Sequence, residues 1–423
     1  MMWTRYVVAS IALGATIAAG LRAEEPVSGD VGQNTRMSHL PRIAYRSFWP
    51  QERYNRQFAE AGVKLVFIFP ANTICSLNVP YSNYPQIWTG PGQYNWKALD
   101  DHIGDVLRWN PAAKLMVMVD LNTPAWWVRS HGGEDSFLHL AETTPEASDL
   151  PGRCAGSGGA DSFCHLGEVV LRDDFKRDAK EYLRRFLEYT EAKYQDKIVA
   201  YQLSCGGTCE WYDWQKGNPG PLKHAAFAKW MQRPGLQVPA DREKTTHYLF
   251  YDPVQDADKI AYWKFHNRLI ADMMLEFAVE ARQTIGDRVP LGTFHGYIME
   301  LGAHRLLYEG HLDYDRVFQS PLLGYNTEPA DYANRRGGGT GGFLYCIDSL
   351  LANGKGAWHE VDHRTYCLKN SENIGTRRLT GNGTRFDLPS QAEAIGALRR
   401  EFAMALIHGS HLWWFDMFGG WFD

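Results

Sequence analysis

Two glutamates stand at the ends of predicted strands where their chemistry can converge: Glu210, in Ser204-Cys205-Gly206-Gly207-Thr208-Cys209-Glu210-Trp211, and Glu360, in Ala357-Trp358-His359-Glu360-Val361-Asp362-His363-Arg364. A facing pair of carboxyls is what hydrolysis of a glycosidic bond demands. One stays protonated to help the leaving oxygen depart, and the other is ionised to attack the anomeric carbon or to activate water. Their separation sets the outcome, about 5–5.5 Å for retention and about 6.5–9.5 Å for inversion. Bland readings compete, because structural ion pairs also perturb carboxylates: Glu210 with a nearby cation such as Lys216, and Glu360 with Arg364 or His363. Asp362 and Arg364 read as groups that orient Glu360 and hold it ionised, since an adjacent cation lowers a carboxylate pKa.

Aromatic and polar residues near the same strand ends are candidate sugar contacts. A flat ring packs against the apolar face of a pyranose while its edge donates a hydrogen bond. Trp126 and Trp127 follow the third strand, Trp211 and Trp214 flank Glu210 on its C-terminal side, and Trp413, Trp414 and Trp421 belong to the eighth strand and its loop. Core packing is the competing reading for each tryptophan. Trp358, two before Glu360, lies on the same face of its strand and reads as core. His295, in Gly292-Thr293-Phe294-His295-Gly296-Tyr297, and Asp416 are further candidate contacts. A metal site from His295, His359 and His363 matches no recognised ligand spacing. Neither a phosphate-cradling glycine loop in a strand–loop–helix setting nor a Gly-x-Ser-x-Gly elbow occurs, so no cofactor is expected.

The elements that must position these residues alternate along the chain. Short β-branched runs at Ile43–Ser47, Lys64–Phe69, Lys114–Leu121, Ile198–Leu203, Val289–Thr293, Arg316–Gln319, Gly356–Glu360 and His411–Asp416 read as strands. Amphipathic stretches between them, Glu52–Ala61, Trp96–Trp109, Asp173–Tyr194, Ala257–Ile285, Ala303–Tyr308, Asp348–Ala352 and Ser390–His408, read as helices. In Asp173–Tyr194, Phe175, Ala179, Tyr182, Leu183, Phe186 and Leu187 recur at helical spacing behind the acidic opening Asp173-Asp174. The pattern predicts an α/β fold, a (β/α)₈ TIM barrel spanning 41–423, with long loops after strands three, four, six and seven on the C-terminal face where barrel enzymes build their sites. The chain ends a few residues past the eighth strand, so the last helix is expected to be missing and the domain to be C-terminally truncated.

The whole chain has 423 residues, 44% hydrophobic and 22% charged, and 44 Lys+Arg against 49 Asp+Glu give a net charge of −5. Such values exclude disordered, collagenous and coiled-coil classes, and without a basic run nucleic acid is not an expected partner. Aromatics reach 13%, more than a core alone usually requires. Residues 1–23 carry the cation, apolar run and small-residue cut site near Ala23 of a secretory signal, with 24–40 as a leader or linker. An uncleaved anchor is the rival reading. The expectation is a secreted or periplasmic protein with no membrane span after cleavage. Seven cysteines in an exported chain can oxidise, and Cys154 with Cys164, bracketing a Gly/Ser-rich loop, is the expected staple.

With strands four and seven each ending in a glutamate, the chain resembles the retaining glycosidases of clan GH-A. Three stretches sharpen the likeness: Ser320-Pro321, Tyr325 and Arg335 to Gly339; Gly354-Lys355, Glu360, Asp362, Arg364 and Thr365; and Trp413 to Trp421. They resemble β-galactosidase-type catalytic domains related to glycoside hydrolase family 42. The resemblance implies Glu210 as acid/base, Glu360 as nucleophile, and Tyr325 and Arg335 among the substrate contacts. Cys209 departs from the clan's pattern, which has Asn before the acid/base. The reading is an exported retaining O-glycosidase acting on an oligo- or polysaccharide, β-galactosidase-like. Its alternatives are a noncatalytic carbohydrate-binding barrel and a clan member of different sugar specificity.

Overall fold

Strand runs that are apolar on both faces can be buried on both sides only inside a helical shell, and that is how this chain arranges them. The computed structural model describes residues 37, 39–73, 75–76, 79–131, 166–299, 301, 304–367, 388–417 and 419–422. The predicted signal (1–23), most of the leader or linker (24–40) and the Cys154–Cys164 pair lie outside them.

Eight strands, β1 (Ile43–Arg46), β2 (Leu65–Ile68), β3 (Lys114–Asp120), β4 (Ile198–Ser204), β5 (Leu291–Phe294), β6 (Tyr325–Pro329), β7 (Gly356–Val361) and β8 (His411–Phe415), pair in parallel in that order. The barrel closes where β1 meets β8, Ile43 opposite Leu412 and Arg46 opposite Phe415. The connections carry α1 (Glu52–Glu60), α2 (Trp96–Trp109), α3 (Asp173–Tyr194), α4 (Ala257–Ile285), α5 (Tyr314–Gln319), α6 (Ile347–Ala352) and α7 (Gln391–Ile407). Side chains of Asn95 and Ser390 cap α2 and α7 by accepting from the N–H groups of Ala98 and Glu393.

Alternation along each strand makes two cores. Inward residues such as Phe67, Met116, Met118, Phe294, Trp358 and Trp413 fill the barrel. Outward residues such as Leu115, Val117, Val119 and Leu203 meet Phe175, Tyr182, Phe186 and Phe277 on the helices. Glycine is required at 292 for this filling, because a Cβ there would lie 2.1 Å from the Tyr325 ring.

One predicted strand is corrected. Arg316–Gln319 lies in α5, where Val317 and Phe318 are buried, and the sixth strand is Tyr325–Pro329. Asn, Glu and Pro give that run weak strand propensity. Long-range bonds place it: Tyr325 Oη donates to the Tyr201 carbonyl at 2.8 Å and Thr327 to Gln202 Oε1 at 3.1 Å.

On the outer face of β6 and β7, a polar seam ties the strands to α7. His359 stands 3.3 Å from Glu328 and 3.0 Å from Glu401, all three fully buried. Burial opposes a charge on His359, but the two carboxylates outweigh it and hold the imidazole at about 9, while burial pushes Glu328 up to about 7. A histidine raised when folded stabilises fully below its unfolded value of about 6.5 and loses that contribution as pH climbs through the folded value. The melting temperature is therefore expected to fall between about pH 6.5 and 9, the raised carboxyls of Glu328 and Glu210 sharing the fall up to about pH 8, and a His359→Gln variant to flatten it between about pH 8 and 9; an unchanged slope there would assign it elsewhere.

Candidate functional site

Glu360 points into the barrel because it is two residues from Trp358 on β7, and its neighbours come from the far end of the chain. Arg46, last residue of β1, donates from Nη1 to Glu360 Oε2, and Trp413 Nε1 on β8 donates to the same oxygen at 2.7 Å. The guanidinium is 5.0 Å from the Phe67 ring centre, 5.4 Å from Phe294 and 4.2 Å from Phe415, an aromatic wall that favours the cation. Burial, with Asp362 adding repulsion, holds the Glu360 pKa above the usual carboxylate value, and the Arg46 charge pulls it only part of the way back. The counter-charge expected from Arg364 is thus supplied by Arg46; the Arg364 carbonyl accepts from the Leu388 N–H. Asp362 is held by Tyr332 Oη at 2.9 Å and by Arg335 at 2.8 Å, with Arg335 lying 3.9 Å over the Tyr332 ring.

Glu210 follows β4 on a turn of unusual backbone. Gly206, Thr208, Cys209 and Trp211 all have φ between 52° and 73°, a region that costs non-glycine residues about 1 kcal/mol or more each. Surrounding bonds impose it. Asn122 accepts from the Gly206 N–H at 2.7 Å and donates to Cys209 Sγ at 3.4 Å, and Trp211 N–H reaches the Cys205 carbonyl at 2.6 Å. Cys209 is therefore shut away facing Asn122. The half-buried Glu210 accepts from Thr208 Oγ1 at 2.6 Å and from Tyr297 Oη at 3.4 Å. Burial first, and the charge of Glu360 second, push Glu210 up to about 8. The two carboxyls, 150 residues apart in sequence, thus act on each other electrostatically while one is proton-holding and the other faces a cation.

The other predicted contacts are placed more diversely. Trp127 and Trp211 are fully buried in the outer core, with Nε1 on Asp178 at 2.9 Å and on the Leu203 carbonyl at 3.2 Å. Trp126 is partly buried and donates to the Trp88 carbonyl. Trp414 faces outward beside Leu398 and Phe422. Tyr325 is barrel filling. Arg335 joins the site through Asp362. His295, fully buried and pushed down to about 3 by burial, stacks on His311 at 4.7 Å. Asp416 accepts the N–H groups of Gly420 and Trp421, pinning the loop after β8. Of these, the mouth gathers Glu210, Glu360, Asp362 and Arg335, and adds Arg46, Thr208, Tyr297 and Tyr332, which sequence reasoning missed. Arg46 was detectable as the cation closing the first strand. Among the described residues no three His, Cys, Asp or Glu side chains are placed to hold a metal ion.

The closed eight-stranded parallel sheet with its outer helices is a (β/α)₈ barrel. No family model matches the chain, and no curated protein matches it. Among solved structures, the catalytic domain of β-amylase from Paenibacillus polymyxa is similar with a TM-score of 0.55 at 12% identity, covering 89% of this chain and 92% of that one. The β-galactosidase from the psychrophilic Marinomonas ef1 also gives 0.55 at 12% identity over 89% of this chain, which spans 54% of that enzyme's length. These likenesses establish the fold.

Proposed function

We propose that this chain is an exported, retaining O-glycoside hydrolase acting on a β-linked glycoside or glycan, β-galactosidase-like in its two-carboxylate site. The observation that carries the reading is the unequal setting of the pair: Glu210 raised to about 8, and Glu360 against the Arg46 cation and the Trp413 N–H. Burial raises both carboxyls, but only Glu360 has a cation and an indole N–H against it to pull it back, which assigns Glu210 as the acid and Glu360 as the nucleophile. Both donors to Glu360 fall on Oε2, so Oε1 attacks the anomeric carbon. As that bond forms, the bond to the leaving oxygen breaks and Glu210 gives the oxygen its proton. Water then attacks the glycosyl-enzyme, Glu210 takes the water's proton, and Glu360 is released as carboxylate. Export rests on the N-terminal pattern alone; no helix among the described residues is long and apolar enough to cross a membrane.

The test is a panel of nitrophenyl β- and α-glycosides, followed by mass spectrometry of the protein after exposure to the 2-deoxy-2-fluoro analogue of whichever sugar is cleaved. The expected result is release from a β-glycoside and a gain of one glycosyl unit on the peptide bearing Glu360. Turnover without a label would indicate inversion, a label on another carboxylate would reassign the nucleophile, and saturable sugar binding without release would favour a noncatalytic barrel.

A further inference from the structure

We infer that His311, a fully buried residue in the connection between β5 and α5, is the positioning residue that sets the acid/base carboxyl of Glu210 by holding both its backbone and its tyrosine partner. The inference rests on the reading of Glu210 as acid/base. His311 Nε2 lies 2.9 Å from the Glu210 carbonyl, and its Nδ1 accepts the Tyr297 N–H at 3.2 Å. A carbonyl can only accept and an N–H can only donate, so the two bonds together require the neutral Nε2–H tautomer. Tyr297 in turn donates its hydroxyl to Glu210 Oε1. One ring therefore fixes the main chain of the acid and the main chain of the residue that meets its carboxyl.

The ring itself is clamped. It stacks between Tyr212 and His295, each 4.7 Å away, at interplanar angles of 20° and 27°. Burial, with His295 beside it, drives the His311 pKa well below the usual histidine range, which keeps the ring neutral, as the two bonds require. The turn it holds carries three non-glycine residues in left-handed conformation, Thr208, Cys209 and Trp211, and such a turn keeps its shape only while its surroundings over-determine it. Asn122 grips one end at Gly206; His311 grips the other at Glu210. A carboxyl displaced by about 1 Å loses much of its value as a general acid.

His311→Leu removes both bonds; His311→Gln keeps an N–H near the position of Nε2; His311→Asn withdraws that donor. The groups facing His311 are His295, Tyr212, Tyr297 and Arg305, and those facing Glu210 are Glu360, Asp362, Arg46, Thr208 and Tyr297, none of them altered. For folded variants, His311→Leu and His311→Asn are expected to lower kcat on alkyl or oligosaccharide substrates about 100-fold with KM nearly unchanged. The kcat/KM of a dinitrophenyl glycoside, whose leaving group needs no proton in the first step, is expected to be nearly unaffected while its kcat falls with the slowed second step, the alkaline limb to move, and His311→Gln to regain most of the loss. Equal losses of kcat/KM on both substrate types with an unmoved limb would overturn the inference, as would no loss. The carboxyl titration of Glu210, isolated in ¹³C-glutamate spectra by comparison with Glu210→Gln, is expected to shift in His311→Leu, or in His311→Asn should the leucine variant fail to fold. An unmoved titration overturns the role of His311 even if the parent cleaves no glycoside, an outcome that would separately defeat the glycosidase reading.

Discussion

Replacing Arg46 with methionine is expected to destabilise the folded protein by about 3–5 kcal/mol in urea unfolding, the range seen when one partner of a buried ion pair is removed. Arg46 and Glu360 are each 3% exposed, so neither charge can recover its loss by turning to water. Methionine fills the space among Phe67, Phe294 and Phe415 without restoring a donor. Glu360 would then retain only the Trp413 N–H, and its carboxyl would hold a proton to higher pH, because burial and Asp362 raise its pKa and Arg46 is the charge that opposes them. On the proposed mechanism Glu360 must be ionised to attack, so the acidic limb of the rate profile is expected to move upward and the loss to be larger at pH 5 than at pH 7. The double variant Arg46→Met/Glu360→Gln carries no buried charge at this place and is expected to regain most of the stability while remaining inactive. If the single variant unfolds like the parent, the pair is not the internal counter-charge of the site.

Much of the frame could be read from local pattern. The periodicity of α3 places Phe175, Tyr182 and Phe186 on one face and ends where the structure ends, and the bounds of α2 and α4 follow in the same way. The placement of Glu210 just past β4 and of Glu360 near the end of β7 was legible because the strand ends could be read from the pattern. What stayed hidden depends on partners far along the chain. Arg46 and Glu360 are 314 positions apart, and His311 and Glu210 are 101 apart, so no spacing rule joins them. The sixth strand is fixed by bonds from Tyr325 and Thr327 to β4 rather than by its own propensity. Trp127 and Trp211 misled for a related reason: a tryptophan just past a strand end can fold back over the outside of the barrel, where Asp178 and the Leu203 carbonyl satisfy its N–H.

Substituting Glu210 with glutamine is expected to lower kcat/KM on substrates with poor leaving groups by about 10²–10⁴-fold, the usual worth of a positioned general acid, and to do far less to a dinitrophenyl glycoside. In the parent, activity on the poor leaving group is expected to fall as pH rises through about 8, where Glu210 loses its proton, and that limb should be missing from the variant. A limb that persists in Glu210→Gln belongs to another group. The causes of the raised value make a second demand. Burial is the larger contribution and the charge of Glu360 the next, and the second vanishes once Glu360 is esterified to the sugar. Glu210 should then titrate lower in the glycosyl-enzyme than in the free enzyme, which is the direction that turns the acid of the first step into the base of the second. Measured on the fluoro-sugar-trapped protein, the Glu210 carboxyl is expected to titrate below about 8; a value unchanged on trapping would mean that the two carboxyls do not sense one another across the mouth, and the shared site would fail on that point.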